Sequence, residues 1–365
     1  MLVTGLSSFW GGRLAALLEA DPRIEAVVGV DPEAPSTELD RTEFVRVGPE
    51  HTAIERIIEG ARIDTVVDTR IVPDPPGGSS AATHESDVIG TLNLLAACSV
   101  PDSPVRRLVF RSSGLLYGSS DSDPAYFTEE LAIPTEPRTR SRRDLLEAEA
   151  AVATFRNRRP EVAVTVLRFG EVLGPDVDSN LMRLLSLPVI PSVAGFDPRL
   201  QLIDQEDALH ALAHAVEASP PGVFNVAADG VLVLSEVASL LGRRVVGVIP
   251  PVGAGLALPV LRRAGIPVSA DLFDQLRFGR AIDNRSFKAI GFHFRYTSRE
   301  AVLGLRSHLL LDRVAGGVEE PFRYEPEVEE FLRRSPLVLG SPAEVEHGEP
   351  RSGPPTSGHR PFRTP

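Results

Sequence analysis

The fold of this 365-residue chain is decided by residues 2–11, which read LVTGLSSFWG. The first three are apolar or β-branched and predict a short buried strand. Gly5 permits a tight turn directly after that strand, and Gly11 opens a segment with Leu14, Leu17 and Leu18 at helical spacing. A glycine pattern is informative only in such a context, so we predict a strand, a glycine turn and a helix that packs close to the strand.

Outward from this stretch, short β-branched runs alternate with helical patterns. Such alternation is typical of βαβ units, a parallel sheet and helices on both of its faces. We therefore predict an α/β fold of the Rossmann type, a doubly wound parallel sheet with a smaller C-terminal lobe. The predicted strands after the first are residues 26–30, 64–67, 107–110 and 162–167, and the predicted helices cover about 11–19, 54–58, 88–96 and 144–155.

The regular alternation ends near residue 174, where prolines and glycines become frequent. We predict a nucleotide-binding Rossmann domain over residues 1–175 and a smaller substrate-binding lobe over 176–335, interleaved with the sheet. Residues 340–365 are rich in Pro, Gly, Ser and Glu and have no apolar period, which predicts a disordered tail.

Composition excludes several classes of function. A net charge of −12 argues against a nucleic-acid partner, because such binding needs basic surface. The longest uncharged run, residues 245–261, is shorter than the roughly 20 residues of a spanning helix, so we expect no membrane role. No signal peptide is visible, and the single Cys98 predicts a buried thiol in a cytoplasmic protein. His210 and His214 have metal-ligand spacing, but we assign no metal site, since this spacing is more typical of a helix face.

The glycine turn predicts a cofactor site. Gly5 and Gly11 let the first amides of the helix face a pyrophosphate, and Asp31 ends the second strand 20 residues after Gly11, where its carboxylate can accept hydrogen bonds from ribose hydroxyls. No arginine follows Asp31 directly to hold a 2′-phosphate, so we predict NAD rather than NADP. The loop residues Ser8, Phe9 and Trp10 complete the predicted cofactor contacts.

The sequence resembles the extended short-chain dehydrogenase/reductases, the NAD-dependent epimerase/dehydratase family, over about residues 1–310. Within it, the chain is similar to an actinobacterial subgroup labelled UDP-glucose 4-epimerase-like. The resemblance implies NAD, a nucleotide-sugar or related small molecule as ligand, a homodimer, and Ser112 as a cofactor contact. Its fingerprint Thr-Gly-x-x-Gly-x-x-Gly falls on Thr4, Gly5, Ser8 and Gly11, and further matches fall in order on residues 90–95, 109–118, 167–175 and 222–226.

The chemistry that the resemblance implies is incomplete. The family removes a hydride from a sugar carbinol while a Tyr takes the hydroxyl proton, assisted by a Lys four residues later and by a Ser. Ser113 matches the Ser position, but Thr139 and Arg143 stand at the Tyr and Lys positions, and Lys288 is the only lysine in the sequence. A Tyr titrates near ~10, whereas a Thr hydroxyl is a much weaker acid and an ineffective base. We interpret Ser113, Thr139 and Arg143 as a degenerate catalytic set.

Three hypotheses follow from this pattern. The first is an NAD-binding protein of nucleotide-sugar type with weak or altered catalysis. Glu171 supports this hypothesis, because it occupies the position at which the family has an Asn on the substrate side, and its charge repels a diphosphate. The second is an active epimerase or reductase that uses another base, such as Tyr117 or Tyr126. The third is a non-enzymatic NAD-responsive or scaffold protein, so the sequence leaves open whether the chain is an enzyme.

Overall fold

The computed structural model is built around parallel strands. It describes residues 1–48, 51–75, 81–131, 133, 137–249, 259, 263 and 268–315. The strands are β1 (Leu2–Thr4), β2 (Val27–Asp31), β3 (Thr42–Arg46), β4 (Thr65–Asp68), β5 (Arg107–Ser113), β6 (Ala163–Phe169), β7 (Glu171–Leu173), β8 (Val189–Val193), β9 (Arg199–Leu200), β10 (Leu202–Asp204), β11 (Gly222–Val226), β12 (Leu232–Val233) and β13 (Arg244–Ile249).

Helices connect these strands. A π-helical turn, Glu85–Ile89, precedes the fourth helix, and a 3-10 turn, Gly114–Tyr117, follows β5. The α-helices are α1 (Phe9–Glu19), α2 (His51–Gly60), α3 (Ala81–His84), α4 (Gly90–Cys98), α5 (Arg140–Arg158), α6 (Asn180–Leu185), α7 (Gln205–Ala218), α8 (Leu234–Leu240), α9 (Ala270–Phe278), α10 (Arg285–Ala289) and α11 (Ser298–Ala315).

Seven strands form one parallel sheet in the order β11-β6-β5-β4-β1-β2-β3. β1 lies between β2 and β4, so the chain leaves it in opposite directions for the two halves of the sheet. This is the switch point at which doubly wound sheets open a crevice beyond the carboxyl ends of their strands. The predicted fold class is confirmed, and the loop after β1 lies at that crevice.

Alternate residues of the central strands supply two hydrophobic layers. Leu2 packs into the layer with Leu94 and Leu145, from α4 and α5, whereas Val3 packs into the layer with Leu14 and Leu212, from α1 and α7. Every residue of β1, β2 and β4 is buried. This continuous burial is what a parallel sheet covered on both faces requires. Cys98 belongs to the first layer, and burial raises its thiol pKa to about 12.

The sequence patterns missed β3, which pairs with β2 at the edge of the sheet. Its residues are half-buried or exposed and include Glu43 and Arg46, so the strand lacks the apolar run that marks its neighbours. A third hydrophobic cluster joins residues from β7 and α6 onward to α11. No helix in the described ranges has the length and apolar content to cross a membrane; most of the uncharged run 245–261 lies outside those ranges.

Residues Met1–Arg313 form one compact unit. The domain boundary near residue 175 stays a prediction. The last part of the predicted lobe, residues 316–335, and the predicted tail, 340–365, lie outside the described residues.

Candidate functional site

The loop after β1 is a narrow cradle built on two glycines. Gly5 has a φ of +76°, and a Cβ added to Gly11 would lie 2.1 Å from the carbonyl oxygen of Gly5. The hydroxyl of Ser8 donates to that same oxygen at 2.7 Å and accepts from the amide of Gly11 at 3.2 Å. Ser8 therefore caps α1, and the helix begins at Phe9 with its positive end at the crevice.

Asp31 stands at the end of β2 and holds the same loop. One carboxylate oxygen accepts from the amide of Ser7 at 3.1 Å, and the other accepts from the amide of Glu33 at 2.9 Å. Each carboxylate oxygen has more than one acceptor site, so these two amides do not exhaust the acceptor capacity of Asp31. The loop geometry fits a dinucleotide, with the pyrophosphate at the start of α1 and the adenosine ribose beside Asp31.

The two serines at the end of β5 have different environments. Ser113 lines a cavity of about 360 Å³ beside the loop, and its hydroxyl accepts from the amide of Leu115 at 3.1 Å. Ser112 is fully buried and donates its hydroxyl to Glu149, on α5 behind the sheet. Ser113 thus faces the crevice, as a hydroxyl-orienting residue must, whereas the side chain of Ser112 takes part in an internal network.

We call this space the Trp10 cavity. It lies beyond the carboxyl ends of β4, β5 and β6. Its lining residues are Ser8, Phe9, Trp10, Thr69, Arg70, Ile71, Val72, Pro73, Asp74, Arg111, Ser113, Leu115, Phe169, Gly170, Glu171, Val172, Asp176, Val177, Asp178, Ser179, Asn180, Leu181, Asp271, Leu272, Gln275 and Arg280. Its volume is within the usual range for small-molecule sites.

The positions that the family resemblance assigns to the catalytic Tyr and Lys, Thr139 and Arg143, lie at the start of α5. Thr139 caps this helix by accepting from the amide of Arg142 at 3.3 Å, and it donates to Oδ1 of Asp271 at 3.0 Å. Arg143, which the spacing places at the Lys position, is exposed. Arg142 is the buried guanidinium instead, and it donates to the carbonyl oxygen of Leu116 at 3.1 Å. The inward-facing cation therefore lies one residue before the predicted one.

Neither tyrosine considered as a replacement base lines the Trp10 cavity. Tyr117 is fully buried, donates to Asn225 at 2.9 Å and accepts from Arg168 at 2.9 Å. Burial raises the pKa of its phenol, which opposes a role as a base. Tyr126 has an exposed side chain. The geometry gives no support to either tyrosine as the proton acceptor.

Sequence reasoning missed two carboxyls in the cavity wall. Asp74 accepts from the hydroxyl of Ser269 at 2.9 Å, and Asp271 accepts from Thr139. Burial raises the pKa of Asp74 to about 6, and it also raises the pKa of Asp271. Glu171, the third carboxyl of this wall, is paired with Arg280 at 2.7 Å. The contact between Thr139 and Asp271 joins residues 132 positions apart, so no local sequence signal could reveal it.

Two arginines, Arg70 just after β4 and Arg111 on β5, also line the cavity. Arg70 pairs with Asp68 at the end of β4 at 2.7 Å, and the hydroxyl of Thr4 donates to the same carboxylate at 2.7 Å. Burial opposes ionisation of Asp68, but the charge of Arg70 lowers its net pKa. Arg111, on β5, lies with its guanidinium carbon 3.9 Å from the ring centre of Trp10. Arg111 directly follows the apolar run of residues 108–110, and a charged residue at the end of such a buried run was the sequence signal for it.

The half-buried carboxyl of Asp74 should contribute less to the stability of the protein at neutral pH than at acid pH. Its folded-state pKa lies above the unfolded value near 3.8, so its stabilising contribution is present below about pH 4 and is lost as the pH rises through about 6. We expect Asp74→Asn to raise the free energy of unfolding by about 1–3 kcal/mol at pH 7.5 and to leave it nearly unchanged at pH 3.5.

Urea denaturation at the two pH values measures this difference. Asp121→Asn is the matched control, because Asp121 is an exposed carboxyl, and it should change stability by less than about 0.5 kcal/mol. A loss of stability for Asp74→Asn at pH 7.5 would show that the carboxylate form is favoured in the folded protein.

Comparison with known proteins shows what this chain is similar to. Residues 1–227 match the NAD dependent epimerase/dehydratase family. An uncharacterized protein of Mycobacterium tuberculosis strain H37Rv is 38% identical over 310 residues, covering 82% of this chain and 81% of that protein. A second uncharacterized protein of the same strain is 28% identical over 265 residues, which cover 72% of this chain but 24% of that protein.

Solved structures share the fold. The dTDP-glucose 4,6-dehydratase of Bacillus anthracis in complex with NAD has a TM-score of 0.64 at 17% identity and covers 86% of this chain and 97% of that one. The UDP-glucuronic acid 4-epimerase of Bacillus cereus in complex with UDP-glucuronic acid and NAD has a TM-score of 0.64 at 15% identity, with 85% and 98% covered. At these identities the likeness is one of fold.

Proposed function

This chain belongs to the NAD dependent epimerase/dehydratase family, and from that premise we propose that it binds NAD at the α1 loop and a hydroxyl-bearing small molecule in the Trp10 cavity, with catalysis altered from that of its family. One observation carries the proposal. The cradle of Gly5 and Gly11 is intact. In contrast, Thr139 stands at the position of the catalytic Tyr, and its hydroxyl donates a hydrogen bond to Asp271.

The residues that would hold NAD are those of the loop and the strand ends. The amides at the start of α1 would face the pyrophosphate, and Asp31 would accept hydrogen bonds from the adenosine ribose. When bound, NAD supplies a hydride acceptor, and the protein supplies orientation and charge. Ser113 is the hydroxyl placed to orient a ligand carbinol, since it lines the cavity.

Charge in the cavity argues against a diphosphate ligand. The wall that faces the lobe carries the carboxyls of Asp74, Glu171 and Asp271, and Arg280 pairs with only one of them. Carboxylates accept hydrogen bonds and repel anions, so this wall suits ligand hydroxyls better than phosphoryl oxygens. A nucleotide-sugar remains the family's ligand class, and for this chain we propose the coarser class, a small molecule rich in hydroxyls.

Asp31→Ala tests the cofactor assignment. Removing this carboxylate takes away a charge-assisted hydrogen bond to the ribose, so we expect NADH binding to weaken by roughly 1.5–3 kcal/mol. The difference in affinity between NADH and NADPH should also become smaller, because the variant lacks the carboxylate that repels a 2′-phosphate. Trp10, the only tryptophan in the sequence, lies in the first turn of α1, so quenching of its emission by NADH and by NADPH measures the two affinities.

Asp40→Ala is the matched control, since Asp40 is an exposed carboxyl after the same strand, and it should leave both affinities unchanged. Absence of saturable quenching by millimolar NADH in the wild-type protein would contradict the proposed function. That result would favour the scaffold hypothesis, in which the chain has kept only the fold.

A further inference from the structure

Arg111 places a buried cation in the wall of the Trp10 cavity. Its side chain is 5% exposed, its guanidinium stacks on Trp10, and it donates to the carbonyl oxygen of Ile71. Its Nε has no hydrogen-bond partner among the described residues. Burial lowers the pKa of this guanidinium to about 9, so it remains charged at neutral pH.

The charge of Arg111 is not fully balanced by its neighbours. Asp68 and Arg70 neutralise each other in their own ion pair. Asp87, on the π-helical turn, is the remaining carboxyl that acts on Arg111, yet no oxygen–nitrogen contact within 4.0 Å joins the two side chains. Oδ2 of Asp87 accepts from the amide of Val72 at 3.3 Å, and Oδ1 lacks a partner in the described part of the chain.

The net charge of this group of four side chains therefore depends on Asp87. Burial raises the pKa of Asp87 to about 7, with Asp68 adding to the rise and Arg111 and Arg70 opposing it. Below that pH, Asp87 is neutral and the four side chains carry a net charge of about +1. Above it, Asp87 is ionised and the net charge is about zero.

This inference rests on the proposed function. If NAD binds at the α1 loop, the order of the strands determines which end of the dinucleotide lies near Arg111. When NAD is bound, the start of α1 would hold the pyrophosphate and Asp31 on β2 the adenosine ribose. β4, β5 and β6 lie on the other side of β1, so the nicotinamide half would lie over their carboxyl ends. That is the position of the Trp10 cavity, with Arg111 in its wall.

We propose that Arg111 makes this site selective for the reduced cofactor, so that NADH binds more tightly than NAD. The oxidised nicotinamide ring carries a positive charge and the reduced ring carries none, so a fixed neighbouring cation repels only the oxidised form. In a partly buried site this repulsion corresponds to roughly 10- to 100-fold in affinity. Each tenfold preference raises the reduction potential of the bound couple by about 30 mV.

The pH dependence of the preference tests this assignment directly. Quenching of Trp10 gives the Kd of NADH, and displacement of NADH by NAD gives the Kd of the oxidised form. We expect NADH to bind roughly 10- to 100-fold more tightly than NAD at pH 6 and this ratio to fall toward unity at pH 8, as Asp87 ionises. Asp74 lines the same cavity and has a pKa of about 6, so its ionisation adds to the fall. Equal affinity, or tighter binding of NAD, at pH 6 would overturn the inference.

Three variants distinguish the effect of Arg111 from other possible causes of a preference for NADH over NAD. Arg111→Met should bring the ratio close to one at both pH values. Asp87→Asn should keep the ratio at pH 8 above that of wild type, because Asn stays neutral and only the ionisation of Asp74 remains. Arg107→Met is the matched control, since Arg107 is the exposed first residue of the same strand, and it should behave as wild type.

If Arg111→Met does not fold, Asp87→Asn and the wild-type pH series still decide the outcome. A ratio that falls with pH in Asp87→Asn as it does in wild type would overturn the inference, and so would a ratio unchanged by Arg111→Met. A protein that binds neither dinucleotide would contradict both the inference and the proposed function, whereas equal binding of the two contradicts the inference alone.

Discussion

Purified protein with NAD is expected not to interconvert UDP-glucose and UDP-galactose at a rate typical of enzymes. The reaction needs a base for the carbinol proton, and the hydroxyl of Thr139 is a poor base that already donates to Asp271. General base catalysis contributes about 10²–10⁴-fold, so we expect turnover to be lower by at least that factor. Nuclear magnetic resonance of the two sugars during a long incubation measures the conversion.

The control for this assay is the same preparation titrated with NADH, because an unfolded or cofactor-free protein would also be inactive. Saturable NADH binding without conversion is the expected pair of results. A turnover number near the usual ~10 per second would contradict the proposal of altered catalysis. It would direct attention to Asp74 and Asp271, the carboxyls of the cavity wall whose pKa values burial raises.

The sequence allowed most of the central sheet to be predicted, because each buried strand is a local apolar run. β1 and α1 follow from residues 2–19 alone, and the switch point follows from their alternation with later strands. β3 was not predicted, because an edge strand with exposed charges has no such apolar run. Local patterns report burial, and this strand is stabilised by pairing with β2 rather than by burial.

The candidate site was less accessible to sequence reasoning, because side-chain direction and distant contacts decide it. Counting four residues from Thr139 selects Arg143, yet the face of α5 that turns inward carries Arg142. Asp271 reaches the site from α9, and Asp74 from the loop after β4. Only the fold brings these residues together, so their pairing could not be deduced from spacing.

The largest effect on stability is expected from the ion pair behind the site. Glu149, on α5, accepts from Arg168 on β6 at 2.7 and 3.1 Å and also accepts from Ser112. The two charged side chains are only 10% and 7% exposed. Glu149→Ala would leave the guanidinium of Arg168 buried without its carboxylate, and losing one partner of such a pair costs about 3–5 kcal/mol. Urea denaturation at pH 7.5 measures the change in the free energy of unfolding.

Glu236→Ala is the matched control for this prediction. Glu236 pairs with Arg299 at 3.1 Å, but both side chains are about half exposed, so the loss should be no more than about 1 kcal/mol. Glu149→Gln keeps an acceptor for Ser112 and removes only the charge, and we expect its effect to lie between those of the two alanine variants. If Glu149→Ala cost no more than Glu236→Ala, water would have to reach Arg168 in the folded protein. The strand end that presents Ser113 to the cavity would then lack the rigid support that the orienting role requires.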